Sequence, residues 1–405
     1  MTSVTAPGAG TQPNAEPNAQ PNTKTEQEQD WVAVARELGP GFAARAARHD
    51  AEDRFVAENY AELKARRVFS AGVPADLGGG GASHPELCAM LREMARACGS
   101  TALALSMHTH LLAATVWRRR QGHPVEPLLK RIAAEQLVLV STGASDWLDS
   151  SGRAERVDGA QAPGGVPGFR VSARKIFGSG VPQGDLLVTS APYDDPTDGP
   201  TVLHFPVPLK AEGVTVLDTW RTMTMRATGS HDVLLEDVFV PEAAVSLRRP
   251  KGKWHPFFVT VVTVAMPLVM SVYLGVAEAA RELVLREVGR KRDDPDVWSL
   301  VGELENALVT ARMAVQGMVD ICADYSFAPV NETANAILTR KTIAAQALLL
   351  TAEKALETVG GAGLYRDLGL ERLVRDLHGA QFHPLQAKRQ HRFTGRMALG
   401  LDPIA

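Results

Sequence analysis

The sequence predicts an α+β protein in three successive regions: an N-terminal helical domain, a central antiparallel β-barrel or sandwich domain, and a C-terminal helical bundle. Three observations carry this. Apolar residues recur at three- and four-residue spacing from about residue 31 to 135. Short β-branched runs divided by Gly, Pro and Asp follow over 136–245. Helical periodicity then returns, with long patterns at 268–292, 297–323 and 331–358. Helices, strands and helices in that order, with no internal repeat, make three layers of one subunit rather than a βαβ alternation. A chain of 405 residues is long enough for this. We divide it into a tail over 1–28, a helical domain over 29–135, a β domain over 136–245 and a bundle over 246–405.

Each region has its own reasons. The first 28 residues are rich in Pro, Asn, Gln and Thr. They hold too little apolar surface to offset ordering, so they are expected to be disordered. They have no basic or apolar signal regions, and the protein is expected to be cytoplasmic. "HPELCAMLREMARACGSTALALSMHTHLLAATVWRRR" then reads as a helical pattern. The loop before it contains four glycines, Gly78 to Gly81, which imply close backbone approach or mobility. No Gly-Lys-Ser/Thr follows, so it is not a phosphate loop. "GFRVSARKIFGSG", "GDLLVTSAPY", "TVLHFPV", "GVTVLDTW" and "HDVLLEDVFVP" read as strands. Residues 254–277 contain no Asp, Glu, Lys or Arg. That length would span a bilayer, which needs about 20 residues. Pro267 interrupts the run and an amphipathic pattern continues it, so a helix buried within the bundle is expected, with no membrane partner.

Charge and cysteines narrow the function. A net charge of −3 gives no footprint for nucleic acid. Cys88, Cys98 and Cys322 are odd in number and widely spaced, which argues against a disulfide framework or a metal site and for buried thiols in helical patterns.

Several motifs resemble those of the acyl-CoA dehydrogenase superfamily, over nearly all of 31–400. "MRATGSHDVLLEDVFVPEAAV", residues 225–245, is similar to the family's segment leading out of the β domain. "RKIFGSG", residues 174–180, resembles the strand beside the flavin ring; the resemblance implies that Phe177 covers the isoalloxazine and Ser179 reaches N5. "STGASDW" resembles a shortened flavin-contacting loop, which implies roles for Ser141, Thr142 and Ser145. "ETVGGAG" resembles the turn that meets a neighbouring subunit's adenine, through Gly360 and Gly361, and "REVG" more distantly resembles the motif whose arginine, here Arg286, reaches the pyrophosphate across subunits. The resemblance implies FAD, or reduced FMN or FAD supplied by a separate reductase; an electron-transfer partner; and a homotetramer built as a dimer of dimers. Each motif alone has a plainer reading, as a core aromatic, a turn or a helix stop. Their order on one chain favours flavin.

"RDLHGAQFHPLQAKRQ", residues 375–390, resembles the stretch that in the dehydrogenases carries the glutamate removing the α-proton of an acyl thioester. Counting from Arg375-Asp376, that place falls on Pro384, preceded by His383. The family's other position for this base lies on the helix matching 254–277, which has no carboxylate. Glu371 resembles a structural acid of the same motif. His378 and the run Lys388 to Arg392 read as surface. A histidine in the base's place resembles the flavin monooxygenases of the superfamily, in which a C4a-hydroperoxide oxygenates a small organic substrate. His383 is then the acid–base group, and His108 or His110 in "SMHTHLL" a hydrogen-bond donor. An acyl-CoA dehydrogenase with an unplaced base and a non-catalytic flavin-binding paralogue are the alternatives.

Overall fold

The computed structural model describes Thr2 and residues 29–143 and 146–404. The expected disordered tail, Thr2 apart, lies outside the described residues. The chain is α+β, with helices at both ends and two sheets between them.

The N-terminal helices are α1 (Trp31–Ala51), α2 (Ala57–Ala65), α3 (His84–Ala97), α4 (Gly99–Arg120) and α5 (Glu126–Glu135). Ser83 starts α3 with a capping box: its hydroxyl accepts from Glu86 N, and its own N–H donates to the Glu86 carboxylate at 2.8 Å. The run read as one helical pattern is broken at Cys98, which is extended (φ −153°, ψ 103°). The break lets α4 turn in tightly against the helix Pro256–Glu287: a Cβ on Gly99 would come within 2.8 Å of Val276. Cys88 and Cys322 are helical and Cys98 is not, but all three thiols are buried, and burial raises their pKa. The glycine run is a close approach. A Cβ on Gly80 would lie 2.2 Å from the Trp31 ring, and one on Gly79 would lie 2.2 Å from Val73 O.

The β region has two four-stranded sheets. One has the order β1 (Leu139–Ser141), β4 (Leu186–Asp195), β5 (Gly199–Pro208), β8 (Leu247–Pro250). The other has β2 (Arg153–Val157), β3 (Gly168–Gly178), β7 (His231–Pro241), β6 (Val214–Leu217). Inward residues of both, among them Leu187, Phe205, Phe169 and Val233, form one core, as in a sandwich. One pairing departs from the antiparallel expectation: β1 runs parallel to β4. Strands β2 and β8 were not legible, because each is a short edge strand with one buried side chain.

The bundle comprises α6 (Pro256–Glu287), α7 (Pro295–Cys322), α8 (Asn331–Val359), α9 (Leu370–Leu377) and α10 (Ala387–Ala398). The uncharged stretch lies in α6, which packs against α3, α4, α7, α8 and α9. Its most apolar window is 89% buried, so neighbouring helices enclose it. Gly275 marks the tightest contact: a Cβ there would meet Arg92 O of α3 at 2.1 Å. The N-terminal helices and the bundle thus share one core, joined by Leu139 of β1 and by Met225 and Ala227 of the turn before β7.

Candidate active site

After α9 the chain makes a single 3₁₀ turn, His378–Gln381, and reaches His383 and Pro384 before α10. The turn closes tightly because residue 379 is glycine: a Cβ there would sit 2.6 Å from the Tyr273 hydroxyl. Tyr273 projects from α6, 1% exposed, and its hydroxyl lies 2.8 Å from His383 Nε2. Burial raises the phenol well above its usual pKa, so it keeps its proton. His383 Nδ1 has no hydrogen-bond partner among the described residues. The imidazole is pushed down to about 3, first by desolvation, then by the Lys341 ammonium and the neighbouring His110. It is neutral at pH 7.

Lys341, on α8, is 1% exposed, and its Nζ lies 3.3 Å from both Gln381 O and Leu385 O. Desolvation lowers its pKa to about 8.

His108 and His110 are two residues apart on α4, roughly 200° around the helix, so they face different surroundings. His108 Nε2 donates to Phe69 O at 2.7 Å, and its Nδ1 accepts from Leu139 N at 3.0 Å. Both nitrogens are engaged by main chain, which fastens α4 to β1. His110 Nδ1 bonds Ser106 O at 3.2 Å, and the ring disfavours protonation of His383. Burial pushes both down to about 4.

Phe177 stands at a bulge near the end of β3, with φ 62°, 46% exposed, its edge toward Trp220 (centroids 6.0 Å apart, planes at 85°). A bulky aromatic in the left-handed region is an outlier of the kind that clusters at functional sites. Ser179 bonds Ser230 at 2.7 Å, and Ser230 bonds Thr228 at 2.7 Å. The turn before β7 joins this wall to α9. Met225 O accepts from Trp220 Nε1 and Thr228 Oγ1, while Met225 N donates to Asp376 at 2.6 Å. Thr224 Oγ1 donates to Asp376 O at 3.0 Å. Asp376 is buried, and desolvation raises its carboxyl to about 6. The structure therefore links Phe177 and Ser179, through Trp220, Ser230, Thr228 and Met225, to Asp376, seven residues before His383. It adds Tyr273, Lys341, Trp220 and Ser230, which sequence reasoning missed. Lys341 had a signal: it occupies a buried position in the register of Ile337, Leu338, Ala345 and Leu348.

Ser141 ends β1, half-buried, and accepts from Gly143 N at 3.3 Å; Thr142 is buried against Thr189 at 2.8 Å. Ser145 lies outside the described residues. Arg286, Gly360 and Gly361 are exposed at the far end of the bundle. Arg286 is roughly 20 Å further along α6 than Tyr273, at about 1.5 Å per residue. Within one chain these three do not join the others. Glu371 is paired with Arg375 at 2.6 Å, which lowers its pKa and suits a structural acid. His378 is half-buried; Lys388, Arg389, His391 and Arg392 are exposed, but Gln390 within the run expected at the surface is buried, bonding Thr394 at 2.6 Å.

Profiles of the acyl-CoA dehydrogenase N-terminal domain and C-terminal domain match residues 25–121 and 268–387, together more than half of the chain. The chain belongs to the acyl-CoA dehydrogenase superfamily. Among its relatives, amino sugar nitrososynthase RubN8 of Streptomyces rubradiris is 28% identical over 93% of this chain and 90% of its own length. Putative acyl-CoA dehydrogenase YdbM of Bacillus subtilis is 26% identical over 89% of this chain and 94% of its own. The crystal structure of KijD3 with FMN and dTDP-3-amino-2,3,6-trideoxy-4-keto-3-methyl-D-glucose aligns with a TM-score of 0.82 and 27% identity, over 92% of this chain and 95% of that one. In superfamily terms, α6 is the helix after the β domain, and its first half is as empty of carboxylates as the sequence implied.

Proposed function

We propose that the protein is a flavin-dependent monooxygenase that takes reduced flavin from a separate reductase and oxygenates a small organic substrate. The observation that carries this is the neutral His383–Tyr273 pair in the place where a desaturating enzyme needs a carboxylate.

The residues fit a flavin. Phe177 is held outward at an unfavourable φ beside Trp220, offering an aromatic face, with the Ser179 hydroxyl two positions on. Trp147 Nε1, just after the Ser141–Thr142 turn, is buried without a partner. Phe177, Trp220 and Ser179 would hold the ring, with Ser141, Thr142 and Ser145 toward its edge or phosphate; the relatives' company allows either FMN or FAD. Reduced flavin, when bound, supplies the electrons that activate O₂. The chain does the rest. The aromatic wall and α6 keep water from the reacting atoms. His383 exchanges a proton with the substrate at Nδ1, and a neutral imidazole does so without leaving a permanent buried cation. His110 offers its second ring nitrogen as a hydrogen-bond partner.

We further propose a homotetramer. Arg286 lies roughly 20 Å along α6 from Tyr273, and Gly360 and Gly361 share its exposed end of the bundle, so we assign these three to the flavin of a neighbouring copy. Exposed apolar residues on α7 and α8, Val309, Met313, Ile343 and Leu350, supply a face for a second copy.

The test begins with anaerobic titration by reduced FMN and reduced FAD, followed by mixing with ¹⁸O₂ and nucleotide-linked amino sugars or aromatic thioethers. One ¹⁸O atom in the product supports the reading. Replacing His383 by Ala is expected to lower oxygenation about 10²-fold or more while flavin affinity holds. Anaerobic bleaching of the flavin-loaded protein by an acyl-CoA would overturn it. A second reading, acyl-CoA dehydrogenation, has one favourable observation: Asp376, whose carboxyl is raised to about 6. Its bond to Met225 N favours a structural role, and Asp376→Asn tested for that bleaching separates the two.

A further inference from the structure

We propose that Lys341 and Tyr273 are positioning residues that clamp His383 from two sides, the ammonium holding the main chain that carries it and the phenol holding its ring. The inference rests on the acid–base role of His383 given above. Lys341 occupies a core position of α8, where an apolar side chain would pack without the cost of burying a charge. No carboxylate among the described residues pairs with it. Its partners are two carbonyls, Gln381 O and Leu385 O, each two residues from His383 on opposite sides. One buried cation therefore ties both flanks of the segment to α8. The ring is fixed from α6: the Tyr273 hydroxyl oxygen is 2.8 Å from Nε2.

A phenol suits this place because it both donates and accepts. It donates to a bare Nε2 and accepts from Nε2–H, so the ring keeps its orientation while Nδ1 gains or loses a proton. The groups facing His383 are Lys341 from α8, His110 from α4 and Tyr273 from α6, with the buried Asp376 of α9 acting on Tyr273. Of these, Lys341 contributes a positive charge that disfavours protonation of His383.

The experiment is hydrogen–deuterium exchange of the full-length protein, read in peptides covering 378–386, for wild type, Lys341→Met, Lys341→Arg and Tyr273→Phe. Lys341→Met is expected to speed exchange there about 10-fold or more and leave other core peptides unchanged. Lys341→Arg restores most of the protection. In turnover, Lys341→Met and Tyr273→Phe lower kcat about 10-fold with KM held. The acid limb of the kcat profile moves up by about one pH unit in Lys341→Met and not in Lys341→Arg. Unchanged exchange in Lys341→Met overturns the proposal whatever the activity. If Lys341→Met does not fold, Tyr273→Phe, which removes one oxygen atom, decides: wild-type kcat and pH profile overturn the clamp. Faster exchange in a protein that oxygenates nothing leaves the clamp standing and removes the monooxygenase reading.

Discussion

His84, His108, His110, His204 and His383 are each held neutral by burial, with pKa values of about 4, 4, 4, 3 and 3. The unfolded chain would protonate them near 6.5. Between that value and their folded pKa the unfolded state binds more protons, so stability falls as pH falls through this window. Asp376 acts in the opposite sense, its folded carboxyl raised to about 6, but it is one group against five. The expected outcome is a Tm that drops steadily below about pH 6.5; a flat Tm down to pH 4.5 by differential scanning calorimetry would contradict it. At the same scale, Ser179→Ala is expected to weaken reduced-flavin binding by about 1 kcal/mol, the worth of one hydrogen bond. Fluorescence titration checks this; an unchanged Kd would move Ser179 out of the site and into the Ser230–Thr228 chain alone.

The elements were legible where periodicity is long. Helices α6, α7 and α8 fall on the three apolar patterns, because each buries one continuous face or is enclosed. The break at Cys98 was not legible, since an apolar residue beside a glycine looks the same inside a helix and between two. It arises from contact with α6, whose Gly275 admits α3. Gly275→Ala forces a Cβ to 2.1 Å from Arg92 O and is expected to cost about 2 kcal/mol through displacement of α3. Ser83→Ala removes only the capping box of that helix and should cost about 1 kcal/mol. Urea denaturation measures both; Gly275→Ala at or below the cost of Ser83→Ala would show that the α3–α6 contact gives way easily.

At the scale of the whole molecule, the proposed homotetramer has the Arg286–Gly361 end of one copy complete the flavin site of another. Met313 is 71% exposed near the middle of α7. Placing a charge there with Met313→Glu is expected to shift the assembly toward dimers or monomers in multi-angle light scattering and to weaken flavin binding with it. A tetramer that survives the change would put the interface elsewhere.

The sequence by itself determined the order of helical and β layers, the buried thiols, the enclosed apolar helix, and the absence of any Asp or Glu from residues 377–401. These are local: periodicity, composition and motif spacing follow from the chain alone. Only the tertiary structure decided how the histidines differ. His108 is bound at both nitrogens by main chain from two other elements, while His383 meets a phenol 110 residues earlier in the chain. It also decided that Lys341 holds both flanks of His383, and that β1 pairs in parallel with β4. A side chain's hydrogen-bond partner and desolvation depend on which distant segments the packed core brings beside it, and no pattern within a short window records that.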